Sequence, residues 1–394
     1  MTKALFDPFT FDDFITNFFE KKYLHLERKI NYNDFVLTEK EINDFLSRND
    51  IYYPSIRLVK DGIEINRKEY TDSASIGNFN VEGYVNNDKL FTYLNDGTTI
   101  VIESSQRYFE NINKLCLELN SMFHFILNTN IYITPPNSKG FTAHWDTHDV
   151  VVLQISGYKN WRLYGSEIEL PSNKQSSNKF APIFKDFNKE AEESLRLTAG
   201  DLFYLPRGII HSADTDDVLS IHISIGFNSL NWDDFFKEIL KDLDNNLIFR
   251  RSFPFWDMSK FDEYYLECVN VINEMFNDSN KKKAIAALFN KTNSHRLQNS
   301  RGRFNNTLHN SNINAHSTIK LNEGIQILIT KSESIVNISF YNKSITFPII
   351  IEDVLKYVIT QNKILISEIP LLDNDSKIIF ARKLINEGLF YLIL

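Results

Sequence analysis

Short β-branched and aromatic runs punctuated by turn signals fill the chain up to about residue 230: IYYPSIRLV, TTIVIE, NIYITPP, DVVVLQISG, KNWRLYG, GDLFYLPRG and VLSIHISIGF. Many short strands at this spacing predict a sandwich or small barrel. Two stretches with helical periodicity, FTFDDFITNFFEKK and RYFENINKLCLELNSMFHFIL, are expected to pack outside it. Beyond this point the period changes, and Phe235, Phe236, Ile239 and Leu240 recur at helical spacing. An Asn-rich polar stretch, NKTNSHRLQNSRGRFNNTLHNSNINAHS, has few apolar anchors and reads as a long mobile loop or linker. The remainder runs strand, helix, helix, strand: GIQILI and SIVNISFYNKSITF, IEDVLKYVIT, DSKIIFARKLINEG and LFYLIL, with Gly388 where a helix C-cap glycine is expected. The predicted parts are residues 1–230, mainly β; residues 231–316, helical with a linker; and residues 317–394, a small winged-helix-like module.

Composition narrows the class. The 394 residues are 43% hydrophobic and 24% charged, as in an ordinary globular protein, but 32 Phe and 17 Tyr predict an aromatic core. The N-terminus lacks a basic head followed by an apolar run and a small-residue cleavage site, and no run is long enough for a membrane span; the expectation is a cytoplasmic protein with no membrane partner. Cys116 and Cys268 lie far apart and form no metal-spaced pair, so they are expected to be structural thiols. A net charge of −8 argues against general nucleic-acid binding. From Ser317 onward eight basic residues balance eight acidic ones, which favours protein packing over DNA contacts for the last module. Lys281, Lys282, Lys283, Arg296, Arg301 and Arg303 make the middle of the chain locally basic, and they read as a solvated face.

Candidate chemistry concentrates in FTAHWDTHDVVVLQISGYKNWRLYG, residues 141–165. In an extended strand His144 and Asp146 share a face and can bind one metal ion. His211, reached through the turn in GDLFYLPRGIIHSA, is the best third ligand. Two imidazoles and one carboxylate on one face of an octahedron leave three positions open, which suits Fe(II) oxygen chemistry better than a closed zinc site. On these residues alone, a surface strand pair with an unrelated core histidine is an equal reading. His148 could be taken for a ligand, but a supporting or surface role fits its position better.

Lys159 shares a face with Trp161 and Leu163 if YKNWRLYG is a strand. An inward ammonium needs an opposite charge, which a small dianionic cosubstrate would supply, unless the side chain snorkels to the rim. Two further strands are similarly asymmetric. His222, Ser224 and Gly226 oppose Ile221, Ile223 and Ile225, and Asn130, Tyr132 and Thr134 oppose Ile131 and Ile133. With the lysine and the metal set, these polar faces read as the lining of a barrel cavity.

These residues carry a resemblance. LNTNIYITPPNSKGFTAHWDTHDVVVLQISGYKNWRLYG followed by GDLFYLPRGIIHSADTDD resembles the JmjC-type cupins of the ribosomal-oxygenase group, and the likeness extends to FFEKKYLHLERK and FTYLNDGTTIVIE. The resemblance implies a double-stranded β-helix core that binds Fe(II) and 2-oxoglutarate, a helical segment that forms a homodimer, and a C-terminal winged-helix domain. It implies that His144, Asp146 and His211 are the catalytic iron ligands and that Lys159 pairs with the distal carboxylate of 2-oxoglutarate. Asn130 and Ser224 match positions near the cosubstrate, and Tyr132 matches one near the substrate entrance. The implied activity is hydroxylation of a protein or peptide side chain, with arginine or histidine of a ribosomal protein the first expectation. A precursor peptide of natural-product biosynthesis is an alternative target. A non-catalytic cupin scaffold, or a small-molecule oxygenase or isomerase, is a competing class. The sequence departs from the group at Gly226, where some relatives carry a substrate-contacting serine, and in the loop SEIELPSNKQSSNKFAPIFKDFNKE.

Overall fold

A computed structural model describes residues 5–176, 187–295, 300 and 302–393. The chain divides into two compact units, one ending at Ser229 and one beginning at Leu230.

Among its described residues the first unit holds thirteen strands: β1 (Leu24–Leu26), β2 (Ile56–Lys60), β3 (Ile63–Glu64), β4 (Thr71–Ile76), β5 (Phe79–Val85), β6 (Thr99–Ile102), β7 (Ile126–Thr134), β8 (Asp149–Ser156), β9 (Tyr158–Ser166), β10 (Glu193–Thr198), β11 (Leu202–Leu205), β12 (Ile209–Asp214) and β13 (Ser220–Asn228). An eight-stranded sheet has the order β1-β11-β8-β13-β7-β6-β2-β3, and a three-stranded sheet has the order β10-β9-β12. Pairing is antiparallel throughout both.

Two-faced burial explains why the central strands read as mixed sequences. On β13, Ile221, Ile223, Ile225 and Phe227 point into the main core, as do Ile131 and Ile133 of β7 and Val151, Leu153 and Ile155 of β8. The opposite faces of these strands look toward the small sheet, where Val150 and Val152 pack with Trp161, Leu163 and Phe203. Strand period two therefore sends alternate residues into two different environments, both shielded from water.

The aromatic residues close the outer face. The helix Phe11–Asn17 is started by a Thr10/Asp13 capping box, and its Phe14 stacks on Phe6 at 4.0 Å and meets Tyr204 edge-on at 4.9 Å. The helix Glu110–Phe123 buries Ile112, Leu115, Cys116, Leu119 and Phe123, a spacing of three or four that defines one helical face. Cys116 is a buried free thiol, as its surroundings require, and Cys268 is a half-buried free thiol.

One expectation is corrected here. The residues around His144 and Asp146 are not strand: β8 begins only at Asp149, and a single isolated bridge joins His144 to His211. The local reason is Trp145, which is only 2% exposed and inserts into a side cluster with Tyr164 and Ile210 while its indole N–H donates to the Gln175 carbonyl.

In the second unit, the helix Trp232–Leu240 pairs with Asp278–Ser294 through Lys291 and Asp234 at 3.0 Å. A strand at Thr318–Leu321 lies between Lys363–Leu365 and Phe390–Ile393, beside a meander of Leu328–Lys331, Ile335–Phe340 and Lys343–Pro348. Helices Glu352–Thr360 and Asn374–Glu387 cover a core that includes Ile319, Phe340, Leu355, Val358, Leu384 and Phe390. Gly388 ends the last helix at φ +83°, the left-handed conformation a C-cap glycine supplies.

The Asn-rich stretch differs from the linker expected of it. Helix Asp278–Ser294 runs into it, Arg303–His309 is a second helix, and Ile313 belongs to the core. Its described residues make side-chain amide hydrogen bonds that apolar periodicity does not register: the Leu392 backbone N–H donates to buried Asn306 at 2.9 Å. Arg296 and Arg301 of the basic run lie outside the described residues, as does the centre of the loop between Ser166 and Glu190. Among the described residues, no helix is long and apolar enough to cross a membrane.

A buried ion pair ties the start of β8 to the turn before β12. Asp149, fully buried, accepts from the Tyr204 hydroxyl at 2.9 Å and the Arg207 guanidinium at 2.7 Å, and Arg207 also pairs with Glu20 at 2.6 Å. Asp149→Ala leaves that cation with the partly exposed Glu20 as its remaining counter-charge and is expected to lower the unfolding free energy by about 3 kcal/mol. Urea titration checks the loss, and the double change Asp149→Leu with Arg207→Met should recover most of it.

Candidate active site

Facing surfaces of the two sheets enclose a cavity of about 540 Å³, within the range of small-ligand sites. Asn130, Tyr132, His144, Asp146, Lys159, His211 and Ser224 all line it.

His144 and His211 are joined by a reciprocal backbone bridge, the His144 N–H to the His211 carbonyl at 3.1 Å and the His211 N–H to the His144 carbonyl at 2.8 Å. A bulge between Ile209 and His211 breaks the β12 register at this point and re-aims the side chain. The two imidazoles stand 4.5 Å apart. Each Nδ1 lies against a backbone carbonyl two residues earlier, Thr142 at 2.8 Å and Ile209 at 3.0 Å. A carbonyl only accepts, so Nδ1 carries the proton and the Nε2 lone pair of each ring is free for a metal.

Asp146 completes the group. One ligand atom from each of the three residues lies within 4.8 Å of the others. Gly208 N–H donates to the Asp146 carbonyl at 3.0 Å, which fixes the loop against the turn carrying His211. Burial raises the Asp146 carboxyl, but the neighbouring His148, His144 and His211 outweigh it and hold it below the ordinary value. Burial, and then the proximity of His144, push His211 down to about 4. An ionised carboxylate and a neutral imidazole are the forms a metal needs. Two nitrogens and one oxygen, with no fourth ligand in the group among the described residues, leave coordination positions open.

Lys159 marks the other end. It is 4% exposed, and its ammonium donates to the Thr134 hydroxyl at 2.9 Å. Burial pushes it down to about 7, with Asp214 pulling the other way. Beside it, His222 stacks on Tyr132 at 4.7 Å and meets Trp161 edge-on at 5.9 Å, and burial holds His222 well below its ordinary value, hence neutral. The buried Trp161 Nε1 and His222 Nδ1 have no hydrogen-bond partner among the described residues. A desolvated lysine beside unused buried polar atoms is a site prepared for an anion.

Asn130 and Ser224 lie opposite each other in the β7/β13 pairing. The Asn130 side-chain oxygen accepts from Ser104 N–H at 3.1 Å and from Asn128 at 3.3 Å, and its amide NH₂ is turned to the Tyr132 hydroxyl. Burial raises the Tyr132 phenol, which therefore stays protonated. Several lining residues carried no such assignment from the sequence: Arg57, Thr99, Asn128 and Asn228. Asn128 continues the alternation of Asn130 and Tyr132 and was legible in principle. Arg57 lies on a strand that ordinary patterning marks only as β, and it reaches the cavity through tertiary packing. His148, expected in a supporting or surface role, lines the cavity and is not one of the three grouped ligands.

Comparison with known proteins agrees with this geometry. Residues 103–235 match the JmjC domain. Proteins named bifunctional lysine-specific demethylase and histidyl-hydroxylase NO66 are similar in sequence: that of Drosophila grimshawi is 32% identical over 231 residues, covering 56% of this chain and 30% of the relative. That of Dictyostelium discoideum is 31% identical over 247 residues, covering 60% and 45%. The chain thus spans less than half the length of these relatives. Among solved structures, ycfD from Escherichia coli aligns over 98% of both chains with a TM-score of 0.58 and 16% identity. The ribosomal oxygenase YcfD from Escherichia coli with cobalt and 2-oxoglutarate aligns over 97% of both with a TM-score of 0.54 and 16% identity. A JmjC domain match over residues 103–235, a full-length fold match and a two-histidine, one-carboxylate cavity agree: the chain shares the fold of these solved structures and carries a segment similar to the JmjC domain.

Proposed function

We propose that this protein is an Fe(II)- and 2-oxoglutarate-dependent dioxygenase that hydroxylates a side chain of a ribosomal protein or another protein or peptide. One observation carries the reading: a half-open His144, Asp146, His211 group shares a cavity with a buried lysine whose hydrogen-bond partner among the described residues is a hydroxyl. The donor set fits a ferrous ion, and the desolvated cation fits the distal carboxylate of a small dianion. Sequence similarity to histidyl-hydroxylases and fold similarity to a ribosomal oxygenase crystallised with 2-oxoglutarate support the same assignment.

Iron and 2-oxoglutarate together would supply the oxidant for insertion of one oxygen atom from dioxygen into a C–H bond. The chain's own contribution is positional. The Thr142 and Ile209 carbonyls, each accepting from an Nδ1–H, aim both imidazoles; Asp146 adds the anionic ligand; Lys159 and Thr134 hold the far carboxylate. Asn130, Ser224 and the Tyr132 hydroxyl line the space between, and the apolar side of Trp161 keeps water from the metal end of β9.

The second unit is assigned to assembly. Helix Phe261–Met275 has no buried residue, and Tyr265 and Leu266 on it, with Phe255, Trp256 and Met258 just before it, are exposed, which fits a helical homodimerisation segment in residues 231–316. Residues 317–394 fit a winged-helix-like domain that packs against protein. A cytoplasmic location accords with a ribosomal target.

Mass spectrometry of ribosomal proteins from cells with and without the gene tests the activity: one protein should lose the mass of one oxygen atom on deletion. No such change in ribosomal or other proteins, together with no succinate formation by the iron-loaded enzyme, would favour a scaffold. Lys159→Ala is expected to weaken 2-oxoglutarate binding about 100-fold, the size of a buried charge-assisted contact, while bound iron stays near stoichiometric. Equal loss of both ligands would point instead to misfolding. The pH dependence follows from the same lysine. Binding needs the ammonium, and the free side chain loses its proton near 7, so affinity should fall about tenfold per pH unit from 7 to 9 and be flat just below. Calorimetry in buffers of different ionisation enthalpy should register proton uptake above pH 7; affinity independent of pH would dismiss Lys159 as the carboxylate partner.

A further inference from the structure

Among the described residues Lys159 is the only buried lysine, and its hydrogen-bond partner is the Thr134 hydroxyl. It stands on β9 opposite Leu197 of β10, with Thr134 supplied by β7. Asp214 of β12 favours its charged form, and His222 of β13 is close enough to feel its charge. Desolvation dominates, so a large share of the side chains carries a free amine near neutral pH. A buried amine of this kind is a nucleophile as well as a binding group.

The surroundings add a second observation. Trp161 follows Lys159 on the same face of β9, and both line the cavity with His222. Trp161 and His222 are 6% and 3% exposed and meet edge-on at 5.9 Å, yet neither Trp161 Nε1 nor His222 Nδ1 has a hydrogen-bond partner among the described residues. An indole N–H only donates, and an ammonium, itself a donor, cannot satisfy it. A small anion on the lysine nitrogen would.

Carbon dioxide makes such an anion from an amine with no other reagent. The Lys159 nitrogen gives its lone pair to the carbon of carbon dioxide, one C=O electron pair moves onto oxygen, and the nitrogen releases a proton to water. Amine and carbon dioxide become carbamate and one proton, and nothing is oxidised or reduced. The carbamate oxygens can accept from the Trp161 N–H and from the Thr134 hydroxyl, which accepts from the ammonium in its absence and can rotate to donate. Burial, and then the charge of Lys159, keep His222 neutral. The adduct replaces that charge with its opposite, which favours a protonated His222 as counter-ion.

We propose that Lys159 is a carbon dioxide-binding site, at which its amine forms a carbamate held by the Trp161 indole and the Thr134 hydroxyl, and that this adduct keeps a carboxylate ligand from the same end of the cavity. The exclusion of 2-oxoglutarate rests on the dioxygenase reading, in which conversion to succinate releases carbon dioxide into this cavity. Formation of the adduct does not.

Two measurements test it. In the first, full-length protein is equilibrated with isotopically labelled bicarbonate at about pH 8, above the lysine's own value, alkylated with triethyloxonium to trap carbamates, digested and mapped by mass spectrometry. Labelled adduct should fall on Lys159 and drop about tenfold in Trp161→Phe, which keeps the amine and loses the indole N–H. Mapping of the wild-type protein needs no variant, so a poorly folded Trp161→Phe leaves the test intact. The second is 2-oxoglutarate binding to the manganese(II)-loaded protein with and without bicarbonate at fixed ionic strength. Half occupancy by the adduct should raise the apparent Kd about twofold, in step with the trapped fraction. No adduct on Lys159, an adduct undiminished in folded Trp161→Phe, or an adduct that leaves 2-oxoglutarate affinity unchanged overturns the proposal. Protein that traps the adduct but binds no 2-oxoglutarate contradicts the dioxygenase reading and leaves the carbamate standing, whereas protein that binds 2-oxoglutarate and traps no adduct sinks only this inference.

Discussion

The reciprocal backbone bridge between His144 and His211 is the constraint on which the site depends. A loop and a bulged strand end, remote in sequence, are locked by two hydrogen bonds of 3.1 and 2.8 Å, and the same carbonyl-rich geometry fixes both ring tautomers. Without the bridge, each imidazole would be free to offer either nitrogen. The neighbouring ties reinforce it: Trp145 anchors the loop from behind, Gly208 N–H binds the Asp146 carbonyl, and the Asp149–Arg207 pair clamps the base of β8 to the turn before His211. Residues that never touch the cavity thus determine where the ligands point.

The cavity is chemically graded along its length, and the grading explains why it is polar in an otherwise apolar barrel. One end holds a desolvated lysine with a hydroxyl, the middle an anionic carboxylate between imidazoles, and the far end amides and His148. Each buried polar group costs free energy in the empty protein, most plainly at Lys159, whose proton is already loosened. Such costs are tolerated where a ligand relieves them, which is the usual reason for strongly shifted groups to gather in one cleft.

Much of this was written in the sequence because strand period two is rigid. Once YKNWRLYG is a strand, Lys159 must go inward with Trp161, and once LSIHISIGF is a strand, His222, Ser224 and Gly226 must oppose the isoleucines. The same rule misled at FTAHWDTH. Alternation correctly aligns His144 with Asp146, but the buried Trp145 and the two-residue bridge produce that alignment on a loop. Arg57 could not be read from its own neighbourhood, and the described residues of the Asn-rich stretch make side-chain amide bonds, such as that of Asn306, which hydrophobic periodicity cannot detect. The contact between His148 and Gly226 was hidden because the two lie 78 positions apart in sequence and are adjacent only in space.

A crystal structure of the protein grown anaerobically with manganese(II) and 2-oxoglutarate tests the account most directly. It should have the metal on Nε2 of His144, Nε2 of His211 and the Asp146 carboxylate, with the distal carboxylate of the cosubstrate on the Lys159 ammonium and the Thr134 hydroxyl. A metal held by Nδ1 of either ring or by His148, or a cosubstrate that leaves Lys159 uncontacted, would contradict it.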